Sequence, residues 1–471
     1  MPHSNLCRRP SSDMRRYYCY ALLGLAFFCS LYLSASAVVA HPILKEYIIE
    51  YNLEALGKSL KDDSYRGEEG ILRIKPEIAN ELGIKAFIDE DYKDSIRLFK
   101  EADKALAKAR EHMVSRKKEK ISGYYAKNIA DNFIIYKRKS LEAQEKLLNY
   151  RSRLTPEIDE RFDNNICETI LDRVLRESLT KADNRLRDGL GYYYNISQGI
   201  DGKAFPLTTE NIRFVNHVFN EFLAHASEED IGMFDLDRDS DYRTARLNDD
   251  WKSVAGPEIL GYITMIETAI EKCSKDIYDV DPLLFISLIK KESDFDALSV
   301  SYVGAAGLTQ IMPGTAKDMG MEDIHMPNYF NDAVSLMEQE QETRSQAMAV
   351  LFQITEENRL RYAKKARSLM QKSLDLGRKR EELFNRYKKE LLGDLTDERL
   401  DPAKAIEYGL IYFAKLMKAQ QGDISLALAS YNAGPHRIQE YNGIPPYNET
   451  VTFRNRILQY YRDYLGKLRG E

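Results

Sequence analysis

The sequence predicts an all-α protein, in which a helical N-terminal region precedes an α-helical domain that carries the chemistry and is split by a long helical insertion. Three observations carry this. Residues 41–275 are rich in Lys, Glu, Leu and Ala, with apolar residues at helical spacing and few Gly or Pro breaks. Residues 326–398 form a more polar Glu, Lys, Arg and Leu tract, which reads as a long helical hairpin. Asp281-Pro282, Asp401-Pro402 and Gly434-Pro435 mark sharp helix starts and stops. The implied units are residues 1–40, 41–270 and 271–471, with the insertion inside the last.

A chain of 471 residues can hold two or three cores. Charged residues make up 30% of it, but they are of mixed sign and spread along helical stretches, so the net charge of -6 names no partner. No basic block stands clear of neighbouring acids, which argues against nucleic-acid binding.

In residues 1–40, Arg8, Arg9, Arg15 and Arg16 precede an apolar run from Tyr17 to Ala40 that ends in Ala-Ser-Ala and Val-Val-Ala, the pattern of an export signal. Its small residues favour cleavage, while its length would also let residues 17–40 remain as a membrane anchor. A lipoprotein would need a small residue before Cys29, where Phe28 stands. Cys7, Cys19 and Cys29 lie in this segment. Beyond it only Cys167 and Cys273 remain, either as one disulfide in an oxidising compartment or as two buried thiols.

Within residues 41–270, Leu82, Gly83, Ala86, Phe87, Tyr92, Ser95, Phe99 and Ala102 approach the small/large alternation of a tetratricopeptide hairpin. Ala107 replaces the usual late Pro and no second unit follows, so a helical scaffold is preferred over a docking array. Asp235, Asp237, Asp239 and Asp241 alternate like the start of a calcium loop, but Ser240 and Arg246 stand where its Gly and bidentate Glu belong. A solvated acidic loop with no metal is expected.

The chemistry begins after Cys273. Asp281 and Pro282 cap and open a helix on which Phe285, Leu288, Ile289 and Glu292 share one face, away from Lys290 and Lys291. A carboxyl on an apolar face is partly desolvated, which raises its pKa and lets it hold a proton for a leaving group near neutral pH. Ser301 and the run Gly304-Ala305-Ala306-Gly307-Leu308-Thr309-Gln310-Ile311-Met312-Pro313 follow, with small residues that admit a close ligand and, in Gln310, an amide suited to sugar hydroxyls and acetamides. Much later, Tyr431-Asn432-Ala433-Gly434-Pro435 ends another helix and sets Tyr431 and Asn432 at a cleft edge.

These residues resemble the catalytic domain of soluble lytic transglycosylases, with its signatures E-S-x-F, G-L-x-Q-x-M-P-x-T-A, Y-N-A-G-P and P-x-x-E-T. All four occur in order over about residues 270–325 and 400–465, the last at Pro446 to Thr450. The resemblance implies a lysozyme-like α-helical fold, Glu292 as the acid/base, and Ser301 and Tyr431 close to it. It implies that Gln310, Met312 and Asn432 line a glycan cleft that Glu449 supports. Thr309, Asp296-Ala297, Tyr302 and Phe453 depart from the usual Met, Asn-Pro, Pro and Tyr, and the last removes a hydroxyl.

The activity implied is cleavage of peptidoglycan glycan strands between N-acetylmuramic acid and N-acetylglucosamine, in which the muramic 6-hydroxyl attacks its own ring and leaves a 1,6-anhydro end. An intramolecular nucleophile makes a second protein carboxylate unnecessary, and no metal or cofactor is required. The rivals are a goose-type lysozyme-like hydrolase with Asp294 or Asp296 activating water, and a non-catalytic glycan-binding scaffold. With the export signal, the resemblance places the chain in the bacterial periplasm or cell envelope. There the N-terminal region, or the 326–398 insertion as a projecting arm, would offer surfaces to envelope proteins.

Overall fold

The computed structural model describes residues 40–62, 64–116, 123–200, 205–238, 249–254 and 256–470. Among them every regular element is a helix, as the sequence predicts, and strand-like pairing is limited to isolated bridges. The export segment, residues 1–39, lies outside the described residues. No described helix is long and apolar enough to cross a membrane.

The first half runs α1 (Pro42–Lys61), α2 (Pro76–Glu81), α3 (Glu90–Val114), α4 (Tyr124–Ser152), α5 (Asn164–Lys181), α6 (Leu186–Ser197) and α7 (Ile212–His225). The second runs α8 (Ile263–Asp276), α9 (Pro282–Ser293), α10 (Pro313–Asp318), α11 (Asn328–Phe352), α12 (Arg359–Asp394), α13 (Pro402–Ala419), α14 (Ile424–Ala433), α15 (Pro435–Glu440) and α16 (Asn448–Arg469).

α9 is buried at every residue from Leu283 to Ile289. A helix apolar all round belongs in a core. α8, α13, α14 and α16 pack around it. A second core joins α1 and α5–α7, but Ala429, Ile438, Ile444 and Val451 from the second half enter it, so the two halves share packing. Buried charge also ties them: Arg454 on α16 bonds Asp188 on α6 at 2.8 Å and pairs with Asp237.

Four expectations are corrected or decided here. Asp237 is 1% exposed and holds Arg454 and Arg462, so it is no part of a solvated loop; Asp239 and Asp241 lie outside the described residues. Leu82 to Ile88 is not the first helix of a tetratricopeptide hairpin. Gly83 turns the chain at a φ of +87°, and Phe87 N donates to Asp159 at 3.1 Å, leaving an extended segment before Asp89 caps α3. Cys167 and Cys273 are separate buried thiols, each pushed up to about 11 by desolvation.

The fourth concerns the insertion, which is a helical hairpin, α11 and α12, but not a projecting arm. Its apolar face lies on the α3–α4 hairpin: Ala347, Leu351, Ala363 and Met370 are buried with Ala109, Met113, Ala126 and Phe133. Its base enters the second half, where Phe330, Phe384 and Tyr387 pack against Val300 and Ala306. Replacing residues 326–398 by a short flexible linker is therefore expected to expose both apolar faces and to lower the melting temperature of the whole chain, and an unchanged melting temperature would show the hairpin to be dispensable.

Candidate active site

α9 delivers one acid to the end of a buried helix. Asp281 accepts from Leu283 N at 2.8 Å as its N-cap and from the Tyr461 hydroxyl at 2.8 Å, which fixes the helix to α16. At the other end Asp294 and Phe295 take left-handed backbone, with φ of 49° and 65°, and turn the chain away. Ser293 Oγ donates to Leu308 O at 2.8 Å, so the helix end is held to the loop that follows.

Glu292, one residue before that anchor, is partly exposed, and no hydrogen bond or ion pair to another described residue reaches its carboxyl. Desolvation pushes its pKa up to about 8; Lys291 pulls it down and Glu449 pushes it further up. A carboxyl of this kind is largely neutral at pH 7 and can donate a proton.

The loop over residues 299–312 is shaped from within. Short bridges pair Val300 with Ala306 and Ala306 with Ile311. Gln310, at a φ of 49°, donates through Nε2 to Ser299 O at 2.9 Å and Gly307 O at 2.8 Å, so its amide braces the loop. Gly307 has a φ of +79°, and a Cβ there would stand 1.7 Å from Arg399 O, so only glycine fits. From behind, Arg399 donates to Gly304 O and Ile311 O, each at 3.1 Å, while binding Asp397 at 2.8 Å and the Tyr387 hydroxyl at 2.6 Å.

Tyr431 closes the site from α14. Its hydroxyl donates to Thr309 O at 2.7 Å, and desolvation, with the nearby Glu292 charge, raises its pKa well above the usual phenol range. Its ring stacks on Phe453 at 6.4 Å and 8°. The Lys291 ammonium sits 5.5 Å from the Phe453 ring, so a ring without a hydroxyl is satisfied at this position. Thr309, another departure, is fully buried and donates to Ala405 O at 3.0 Å, with Gly409 leaving room for it.

Of the residues singled out in the sequence, Glu292 is coupled to Glu449 and to Tyr431, and Gln310 directly follows Thr309, whose carbonyl accepts from Tyr431. Asn432 accepts from the Thr450 hydroxyl at 2.7 Å and so links α14 to the start of α16. Ser301 does not bond Glu292: its hydroxyl accepts from Val303 N and Ala305 N and holds its own turn. It faces a cavity of about 500 Å³ shared with Arg380, Phe384 and Lys388 of α12. Met312 packs into the cluster with Phe330 and Tyr387. Lys291 and the Asp397–Arg399–Tyr387 knot were not found from sequence; the acidic-basic string Asp397-Glu398-Arg399 was the available signal.

Because Glu449 repels the ionised form of Glu292, Glu449→Gln is expected to lower the Glu292 pKa. Loss of activity on the alkaline side should then set in at lower pH, whereas Lys291→Met should move it to higher pH. Rate against pH on a soluble glycan measures both shifts, and unchanged limbs would remove Glu449 and Lys291 from the site's electrostatics.

Comparison with known proteins bears on this geometry. The Transglycosylase SLT domain family matches residues 270–339 and 379–450, and the stretch between the two, 340–378, is the outer part of the hairpin. A "Transglycosylase" of Enterobacteria phage PRD1 is 38% identical over 63 residues, 13% of this chain. The match spans about a quarter of that relative, 24%. An inactive mutant of lytic transglycosylase Slt from Pseudomonas aeruginosa aligns over 89% of this chain and 81% of its own, at 15% identity. The TM-score is 0.25.

Proposed function

We propose, from the premise that residues 270–339 and 379–450 belong to the transglycosylase SLT domain family, that this chain is a peptidoglycan lytic transglycosylase with Glu292 as its acid/base. The observation that carries the reading is the Glu292 carboxyl itself, desolvated at the end of a buried helix, with no hydrogen-bond donor among the described residues, and with its pKa pushed up to about 8.

Glu292 gives its proton to the glycosidic oxygen, and the bond to C1 of the muramic ring breaks with help from the substrate's acetamido group. The muramic 6-hydroxyl then bonds to C1 and returns its proton to the Glu292 carboxylate. Proton and bond count balance, and the product carries a 1,6-anhydro ring. Holding nucleophile and electrophile in one sugar supplies the proximity that a second carboxylate would otherwise have to create. Asn432, Gln310 and Tyr431 would shape the cleft, Tyr431 by fixing the Thr309 carbonyl beside the acid.

The hydrolytic alternative lacks support from its candidate bases. Asp294 is exposed at the helix end, and Asp296 accepts from Leu298 N at 2.9 Å in its own turn. Neither figures among the charges that act on Glu292. A test follows from the nucleophile: glycan whose muramic 6-hydroxyl is acetylated should resist cleavage and become a substrate again on deacetylation. Equal cleavage of both forms would point to water as the nucleophile.

A further inference from the structure

The first half of the chain pairs with the second residue by residue. Ser64-Tyr65-Arg66-Gly67-Glu68-Glu69-Gly70, with Ile74 and Pro76, stands as Ser301-Tyr302-Val303-Gly304-Ala305-Ala306-Gly307, with Ile311 and Pro313. Asp159-Glu160-Arg161 stands as Asp397-Glu398-Arg399, and Glu210, Phe214 and Asn216 as Glu449, Phe453 and Asn455.

The bonds pair as well. Arg161 holds the Asp159 carboxylate, the Tyr150 hydroxyl at 2.7 Å, Gly67 O at 2.8 Å and Ile74 O at 3.1 Å, the same knot that Arg399 ties. A Cβ on Gly70 would stand 2.0 Å from Arg161 O, as one on Gly307 would stand 1.7 Å from Arg399 O. In helices, α1 pairs with α9, α2 with α10, α5 with α13, α6 with α14 and α7 with α16. The hairpin α3–α4 pairs with α11–α12; α3 and α11 are each 25 residues long, and α5 and α13 each 18.

The hairpins meet through one and the same patch. Ala109 and Met113 occupy the positions of Ala347 and Leu351, and Ala126 and Phe133 those of Ala363 and Met370, all buried in one cluster. A patch packed on its own counterpart is the mark of a two-fold, isologous contact. Elsewhere Asn216 Nδ2 donates to Ile444 O at 2.8 Å, and its counterpart Asn455 donates to Leu207 O at 2.8 Å, each reaching into the other half.

At the site the halves differ. His41 and Pro42 open α1 as Asp281 and Pro282 open α9, and counting from these caps Asn52 stands where Glu292 does. The rings agree: Tyr193 stacks on Phe214 at 5.9 Å as Tyr431 stacks on Phe453, and Tyr51 meets Phe214 where Lys291 meets Phe453. Asn52 is 3% exposed and donates to Ile71 O at 3.2 Å. An amide there cannot give up and recover a proton. Tyr51 and Tyr194 both lie against Phe214, and Tyr193 is 2% exposed, so rings cover in the first half the positions that Glu292 and Tyr431, both partly exposed, hold in the second.

We propose that the first half is a second, disarmed copy of the catalytic fold, fused in the same chain as the fixed dimer partner of the working copy. It cuts no glycan, and the hairpin common to both copies is the element by which they hold each other. Its silence rests on the reading of Glu292 as the acid; the pairing of the copies does not.

Two measurements on the full chain test this. Glu292→Gln should release no fragments from sacculi, and adding Asn52→Glu should restore none, because rings occupy the glycan's place. Activity gained by the double variant would reveal an open second cleft and overturn the proposal. If Glu292→Gln alone stays active, Asn52→Ala added to it decides. Loss of the residual activity would show that the first copy cuts, against this proposal; no change would place the failure with Glu292 instead. For the partnership, Leu351→Asp should speed amide hydrogen exchange about tenfold or more in α3–α4 as well as in α11–α12, and Met113→Asp should do the same in reverse. The milder Leu351→Ala should show the same pattern to a smaller extent. Faster exchange confined to the hairpin that carries the substitution would overturn it.

Discussion

Glu292→Gln is expected to lower fragment release from sacculi by about 10²- to 10⁴-fold, the usual contribution of a positioned acid/base. The amide keeps the size of the side chain, so glycan binding and the packing of α9 should persist. Stability should move in an informative direction. Burial raises the folded pKa of Glu292 above its unfolded value, so the folded state binds the extra proton and the carboxyl weakens the fold as pH rises from about 4.5 through about 8. Glu292→Gln removes that penalty. Its melting temperature should exceed that of the parent at pH 8 and match it near pH 4. A variant that unfolds at both would make Glu292 a structural residue.

Arg399→Leu is the change with the largest expected effect on stability. Arg399 is 1% exposed and joins Asp397, the Tyr387 hydroxyl and two carbonyls of the loop that follows Glu292. Removing it leaves the buried Asp397 carboxylate without its counter-charge, which costs about 3–5 kcal/mol. Arg399→Lys should rescue little, because one ammonium cannot span the fork that a guanidinium fills. Thermal unfolding measures the loss, and turnover per folded molecule should fall with it, since Gly304 and Ile311 lose their brace. Arg161→Leu, in the same knot of the first half, should cost similar stability with a smaller effect on turnover. Near-neutral stability in Arg399→Leu would show the knot to be incidental.

What could be read in advance was mostly local. The cap at Asp281, the proline after it and the apolar face ending at Glu292 lie within one helix, whose periodicity fixes their directions. The same wheel set Lys291 aside as a solvent-facing residue, because it could not show that α16 would bring Phe453 beneath its ammonium. The length of the hairpin was legible for the same local reason, and its packing was not. Its buried face mixes Ala347, Ala363 and Ala366, which carry a weak apolar signal, with Val350, Leu351 and Met370, and all find their partners on helices far back in the chain.

The pairing of the two halves was present as strings, in Ser64 to Gly70 and Ser301 to Gly307, but half a chain apart, far outside the period of a stacked helical array. Asp237 misled for a different reason. Alternating acids look solvated in isolation, and the arginines that neutralise this one, Arg454 and Arg462, stand on the last helix of the chain.

The central claim is that Glu292 drives attack by the substrate's own hydroxyl, and the ends of the released fragments test it most directly. Purified sacculi digested with the full chain in heavy-oxygen water should yield muropeptides that are lighter than reducing-end products by one water and carry no heavy oxygen, and Glu292→Gln should yield none. Reducing ends labelled with heavy oxygen, or the same anhydro products from Glu292→Gln, would contradict the account.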